Sequence, residues 1–209
     1  TFTFWTTISP NTVFRNVKEC PPGHFIKFRN NQITIERYWK LCFATKENYF
    51  QGTFQEAILK FEELFQDSVR IRLRADVPVA AYLSGGIDSS ITTAYIKKIE
   101  PKVLQTFSVG FTEKEYDESY FQNIASNYFK TKHISHTCST KEVAENFPQV
   151  IWHCEMPILR TSPSPMFSLS KKVRESNIKV VITGEGADEL LAGYNIFKEN
   201  KIRHFWAKD

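Results

Sequence analysis

The heptapeptide SGGIDSS, residues 84–90, combines two adjacent glycines, three serine hydroxyls and one carboxylate. It follows directly on the apolar run VPVAAYL and leads into a segment with helical spacing. Gly85 and Gly86 let the main chain approach an anion closely and turn N–H groups toward it. Ser84, Ser89 and Ser90 add hydroxyl donors, and a helix start adds partial positive charge. Such a set suits a phosphate. Neither the G-x-x-x-x-G-K-[ST] of a Walker loop nor the G-x-G-x-x-G of dinucleotide-binding folds occurs here. Asp88 is the informative departure, because a carboxylate beside phosphates repels them unless a cation stands between. That points to Mg²⁺ held by carboxylate and phosphate oxygens together. A capped helix after a glycine turn is the plainer reading; serines on both sides and a buried strand in front favour the phosphate.

A second stretch, TGEGADE at residues 183–189, repeats the logic after another apolar run. Gly184 and Gly186 bring backbone close, while Glu185, Asp188 and Glu189 gather carboxylates. Beside a phosphate cradle, Asp188 becomes a candidate second metal ligand and Glu185 a candidate acid/base or amine-orienting group. Arg160, in the loop before SPSPM, either clamps a phosphate or carboxylate bidentately or stands as a surface arginine. His133 and His136 flank a short edge-like strand and read as structural. Trp39, Trp152 and Trp206 read as packing residues.

Loops of this kind need a scaffold, and the flanking periodicity supplies one. VPVAAYL (77–83), VLQTFSVGF (103–111), KHISHT (132–137) and IKVVIT (178–183) read as strands. Helical patterns lie between them: IDSSITTAYIKKI after the first loop, then Asp117 to Phe129, Lys141 to His153, and FSLSKKVRES after the proline-bearing loop LRTSPSPM (159–166). Upstream, Thr53 with Glu56 forms a capping box for a helix reaching about Arg74. Strands alternating with helices, the strands nearly continuous in apolar residues, imply an α/β fold: a parallel sheet with helices on both faces. In such sheets ligands bind beyond the carboxyl ends of the strands, where both loops fall. Residues 1–43 differ, holding an antiparallel hairpin of HFIKF (24–28) and ITIERYW (33–39) joined by RNNQ. KENYFQG (46–52) reads as a linker. The expected division is a β-rich remnant over 1–45 and a truncated α/β domain over 46–209.

The 209 residues are 42% hydrophobic and 24% charged, as in an ordinary globular protein. A net charge of +4 is too mild to argue for nucleic acid without a clustered patch, and RIRLRAD (70–76) reads as a solvated helix end. No apolar run approaches the roughly 18–20 residues of a membrane span. Cys20, Cys42, Cys138 and Cys154 form no C-x-x-C pair. They are read as free thiols, which implies a reducing, cytoplasmic setting.

In order and spacing, RLRADVPVAAYLSGGIDSS, TFSVGF and TGEGADELLAGY closely resemble the synthetase domain of the glutamine-hydrolysing asparagine synthetases, a branch of the ATP pyrophosphatases. TFWTTISPNTVFRNVKECPPGHFIKF and ITIERYW resemble the end of that family's glutaminase domain. The resemblance implies a Rossmann-like ATP-pyrophosphatase fold. It implies ATP bound by the backbone of Leu83 and Val109, by Ser84 to Ser90, and by Thr183 and Gly184. Asp88 and Asp188 match Mg²⁺-associated positions. Glu185 matches the glutamate associated with forming and consuming a β-aspartyl-adenylate. The implied substrates are aspartate, ATP and ammonia from glutamine, with no nucleic acid or membrane as partner; a homo-oligomer is the expected assembly. The family's N-terminal nucleophilic cysteine has no match at Thr1, so glutamine hydrolysis is not expected of this piece, and a family lysine is expected beyond Asp209. Another carboxylate as substrate, as in β-lactam-forming relatives, and a non-catalytic ATP-binding module stay open as alternatives.

Overall fold

The computed structural model describes residues 2–207. In chain order the strands are β1 (His24–Arg29), β2 (Gln32–Arg37), β3 (Val79–Tyr82), β4 (Gln105–Phe111), β5 (Lys132–Cys138) and β6 (Val180–Ile182). The helices are α1 (Phe54–Arg72), α2 (Ile87–Ile99), α3 (Ser119–Phe129), α4 (Thr140–Cys154), α5 (Pro163–Glu175), α6 (Ala187–Leu191) and α7 (Asn195–Trp206). Two compact units result, one of residues 1–61 and 141–167, the other of residues 62–140 and 168–209.

In the first unit β1 and β2 pair antiparallel, from His24 opposite Arg37 to Arg29 opposite Gln32. Asn30 and Asn31 turn the chain with φ of 50° and 58°, the positive values that a two-residue hairpin turn requires. The second strand stops earlier than its alternation predicts. The amides of Tyr38 and Trp39 both donate to the carbonyl of Gly23, at 2.9 and 3.1 Å, which folds these residues onto the preceding turn. Trp39 is 58% exposed and Trp152 78%, and in the second unit Trp206 is 70% exposed. None of the three packs as expected, because the faces that carry them have no cover among the described residues. The loop expected over 159–166 is half helix. Pro163 begins α5, where a missing N–H costs nothing in a first turn, and the Ser164 hydroxyl donates to the Val143 carbonyl at 2.8 Å.

In the second unit the sheet runs β5-β4-β3-β6, with every neighbour parallel. Alternation along the strands splits the core between two faces. Ala81 and Ile182 pack with Val69 of α1 and Ile96 of α2. Ala80 and Phe107 pack on the opposite face with Leu169 and Val173 of α5 and with Ile178. The expected parallel sheet with helices on both faces is what the chain forms. Phe107 and Leu83 are fully buried, each contributing about 1.5–3 kcal/mol of apolar burial. α1 begins at the expected capping box, the Thr53 amide donating to Glu56 Oε2 at 2.7 Å and the Glu56 amide to Thr53 Oγ1 at 3.2 Å.

Strand order decides where a ligand fits. From β3 the chain proceeds through α2 to β4 and through α3 to β5 on one side, while β6 pairs on the other side of β3. The reversal falls between β3 and β6, and in open α/β sheets the crevice at such a switch point is the ligand-binding place. SGGIDSS leaves β3 and TGEGADE leaves β6, so both chemical loops border it. No helix among the described residues is long and apolar enough to cross a membrane. All four cysteines are free thiols.

Candidate functional site

The β3–α2 loop is shaped by its own serines. Ser89, 8% exposed, accepts from the Ser84 amide at 3.2 Å and donates to the Gly86 carbonyl at 3.1 Å. With its proton so used, its 3.0 Å contact with the Ser84 hydroxyl is a bond donated by Ser84. Ser84 in turn accepts from the Gly86 amide at 3.3 Å. Gly86 stands at the N-cap of α2 and accepts from the Ser90 amide at 3.0 Å. The amides of Ile87, Asp88 and Ser89, in the first helical turn, therefore have no carbonyl of the helix to bond. Gly85 has φ of +85°, and a Cβ there would lie 2.6 Å from the Phe121 carbonyl carbon and 2.7 Å from the Gln122 nitrogen. Only glycine fits between this loop and α3.

The β6–α6 loop meets the first at Gly184, where a Cβ would stand 3.1 Å from Asp88 Cβ and 3.2 Å from the Ser89 nitrogen. Residues about a hundred apart in sequence thus touch by backbone. Gly186 has φ of +93° with open space before it. The Glu185 amide reaches the Thr183 hydroxyl at 3.4 Å. Asp188 is half-buried and lies against Gly193, where a Cβ would overlap its carboxylate; the Gly193 amide donates to the Asp188 carbonyl at 3.0 Å. Tyr194 donates to Glu189 at 3.0 Å. Its phenol pKa is raised above the ordinary value, first by that bond, then by desolvation and by the charges of Glu189, Asp188 and Glu185. The loop is acidic enough to be felt by a neighbour.

Beside these loops β3 and β4 part company. The Leu83 amide donates to the Phe107 carbonyl at 2.9 Å, one residue past the last pair of the two strands, Tyr82 with Phe107. Two residues on, the Val109 carbonyl accepts from Gln122 of α3 at 2.8 Å. Asp117 clasps the end of β4 to the start of α3: its carboxylate accepts from the Phe111 amide at 3.1 Å, from the Ser119 amide at 3.4 Å and from the Ser119 hydroxyl. Those bonds, the Ser119 hydroxyl first, hold its pKa below the ordinary value. A lowered native pKa means the clasp stabilises the fold above the unfolded pKa and loses that contribution as pH falls through the native value. Asp117→Asn is expected to flatten the acid limb of a stability-versus-pH curve below about pH 3.9; an unchanged limb in chemical denaturation would refute the clasp.

Leu83, Ser84 to Ser90, Val109 and Thr183 to Asp188 all belong to the carboxyl end of this one sheet. Arg160 belongs to the first unit, its guanidinium stacked 4.0 Å from the Trp5 ring centroid. Asp117, Gln122 and Ser108 escape the sequence reading. Gln122 and Ser108 are polar residues in otherwise apolar patterns, and only tertiary packing reveals them as 2% and 3% exposed. Asp88 and Asp188 carry hard carboxylate oxygens, the donor type that Mg²⁺ takes, and stand on the two loops that meet at Gly184.

A parallel α/β sheet with a glycine–serine loop and an acidic glycine loop on either side of its switch point has the architecture of an ATP pyrophosphatase. Comparison with protein-family models matches residues 60–209 to asparagine synthase, and the chain belongs to that family. It is 33% identical over 191 residues to the glutamine-hydrolyzing asparagine synthetase 1 of Bacillus subtilis, covering 91% of this chain and 29% of that protein. The putative glutamine-hydrolyzing asparagine synthetase 2 of Methanocaldococcus jannaschii is 30% identical over 187 residues, covering 89% of this chain and 36% of the relative. The amidase chyE of Penicillium rubens is 31% identical over 217 residues, covering 95% and 32%. The chain thus spans about a third of the length of these relatives.

Proposed function

We propose that the protein is an ATP-dependent amide ligase that forms asparagine from aspartate, ATP and glutamine-derived ammonia. The observation that carries this reading is the backbone contact of Gly184 with Asp88 and Ser89 at the switch point. It joins a phosphate cradle to an acidic loop, as an adenylation reaction needs. The substrate carboxylate attacks the α-phosphorus of ATP, the bond to pyrophosphate breaks, and an acyl-adenylate results. Ammonia then attacks the acyl carbon, AMP leaves, and the amide remains. The unpaired amides at the start of α2 and the loop 84–90 hold the departing pyrophosphate. The backbone of Leu83 and Val109 holds the nucleoside, and Thr183 and Gly184 line the reacting end. Asp88 and Asp188 would hold Mg²⁺, which supplies charge neutralisation on the phosphate oxygens. Glu185 orients the amine or accepts its proton.

Arg160 is proposed as a clamp for a carboxylate or phosphate. Stacking on Trp5 occupies one face of its guanidinium and leaves the in-plane N–H fork to bond an anion. Residues 1–45 are proposed as the end of a glutaminase domain and 46–209 as part of the ATP-binding domain, working as a homo-oligomer in the cytoplasm.

Two relatives of similar identity are named amidases rather than asparagine synthetases, and one variation of the reading is that the carboxylate is another acid. The deciding experiment is pyrophosphate release from ATP by the full-length protein, with aspartate and with a panel of other acids. Release that depends on aspartate and yields asparagine is expected. Release only with another acid would sink the aspartate assignment, and ATP binding without release would leave a non-catalytic module.

A further inference from the structure

We infer that Gln122 is a positioning residue for the nucleotide, holding the Val109 peptide in place through a one-way chain of hydrogen bonds; the inference rests on the ATP reading above. The chain begins at Thr131, whose hydroxyl is 2.8 Å from Thr106 Oγ1, and Thr106 Oγ1 lies 2.9 Å from His133 Nδ1. His133 Nε2 lies 3.0 Å from Ser108 Oγ, Ser108 donates to Gln122 Oε1 at 2.6 Å, and Gln122 Nε2 donates to the Val109 carbonyl at 2.8 Å. Ser108 has one proton, and Gln122 Oε1 takes it. Ser108 must therefore accept from His133, whose proton is on Nε2. His133 Nδ1 then accepts from Thr106, and Thr106 accepts from Thr131. Each hydroxyl proton and the ring proton is used once, and all bonds point the same way. Burial lowers the His133 pKa, in keeping with a neutral ring.

The direction matters at its last link. Reversing the Gln122 amide would set its carbonyl oxygen against that of Val109, so the chain admits one orientation of Gln122. Val109 lies on the same edge of β4 as Phe107, whose carbonyl takes the last bond from Leu83 of the β3 segment. Beyond that bond Val109 faces the gap opened by the parting strands. Gln122 is itself buried, and its backbone nitrogen is one of the atoms that a Cβ on Gly85 would strike. One residue therefore touches the phosphate loop by its backbone and the nucleoside-facing peptide by its side chain. The side chain governs only the second contact.

That division makes the test selective. Gln122→Met keeps the volume and removes the amide. In the full-length protein with Mg²⁺, calorimetry is expected to show a Kd for ATP raised about tenfold, about 1.4 kcal/mol. The Kd for inorganic pyrophosphate, which needs only the loop, stays unchanged. Ser108→Ala, which removes the bond that orients Gln122, gives a smaller loss of the same kind and carries the test should the methionine variant not fold. Equal weakening of both ligands would mark a merely structural role, and unchanged ATP affinity no role; either overturns the proposal. A wild-type protein that binds no ATP overturns the nucleotide reading and this inference with it, a result distinct because it needs no variant.

Discussion

Asp88→Ala is expected to lower Mg²⁺-dependent turnover of ATP by about 10²–10³-fold, the cost of losing one preorganised electrostatic group in a reacting site, while the fold survives. Both halves follow from where Asp88 stands. Its side chain is exposed at the start of α2, and its backbone carbonyl accepts from the Thr92 hydroxyl at 2.8 Å. Alanine keeps that carbonyl. What is lost structurally is one negative charge near a helix N-terminus, worth about 0.3–1 kcal/mol. What is lost chemically is larger, because the triphosphate then faces the remaining carboxylates without its share of the cation. Pyrophosphate release at rising Mg²⁺, beside thermal unfolding followed by circular dichroism, measures the two halves separately. Asp88→Asn refines the result: it keeps size and hydrogen bonding but not charge, and is expected to resemble alanine. Undiminished turnover in either variant would remove Asp88 from the metal site.

Much of this arrangement is legible in the residues themselves, for a physical reason. The strands of a sheet covered on both faces must be apolar along their whole length, so VPVAAYL and IKVVIT announce themselves. Glycine and serine after such a run announce a loop. Thr53 with Glu56, and the two asparagines of RNNQ, act through bonds within a few residues, so local sequence suffices for them too. The misses share the opposite character. Gln122 meets Val109, thirteen positions away, and His133 meets Thr106 and Ser108 across paired strands; nothing in their immediate neighbours reports these partners. The contact of Gly184 with Asp88 is of the same kind, since strand order alone brings the two loops together. Tyr38 and Trp39 continue the alternation of a strand yet bond to Gly23, a competition that periodicity does not register. The proline loop before α5 misleads because proline is read as a breaker, although the first turn of a helix accepts it.

Gly85→Ala is expected to be the most damaging single methyl group in the site. A left-handed backbone costs an L-residue about 1–2 kcal/mol, and φ at Gly85 is +85°. The added carbon would also meet backbone atoms of Phe121 and Gln122 at 2.6 and 2.7 Å, and backbone cannot swing aside as a side-chain tip does. Overpacking of that kind costs about 1–3 kcal/mol, for a combined loss of about 2–5 kcal/mol against a typical total of 5–15. Two routes of relief exist. If the loop moves off α3, the fold persists but the amides at the start of α2 no longer point together, and ATP and pyrophosphate binding fall in parallel. If the loop stays, the melting temperature drops by about 2–4 °C for each kcal/mol lost. The neighbouring glycine gives the control. Gly86 has an ordinary φ of −71°, and a Cβ there would meet only Ser84 Oγ, at 3.4 Å. Gly86→Ala therefore costs little beyond the preference for glycine over alanine at an N-cap, about 0.5–1 kcal/mol. Equal damage from the two substitutions, measured by denaturant unfolding, would refute the view that Gly85 is required by its contact with α3 rather than by general flexibility of the loop.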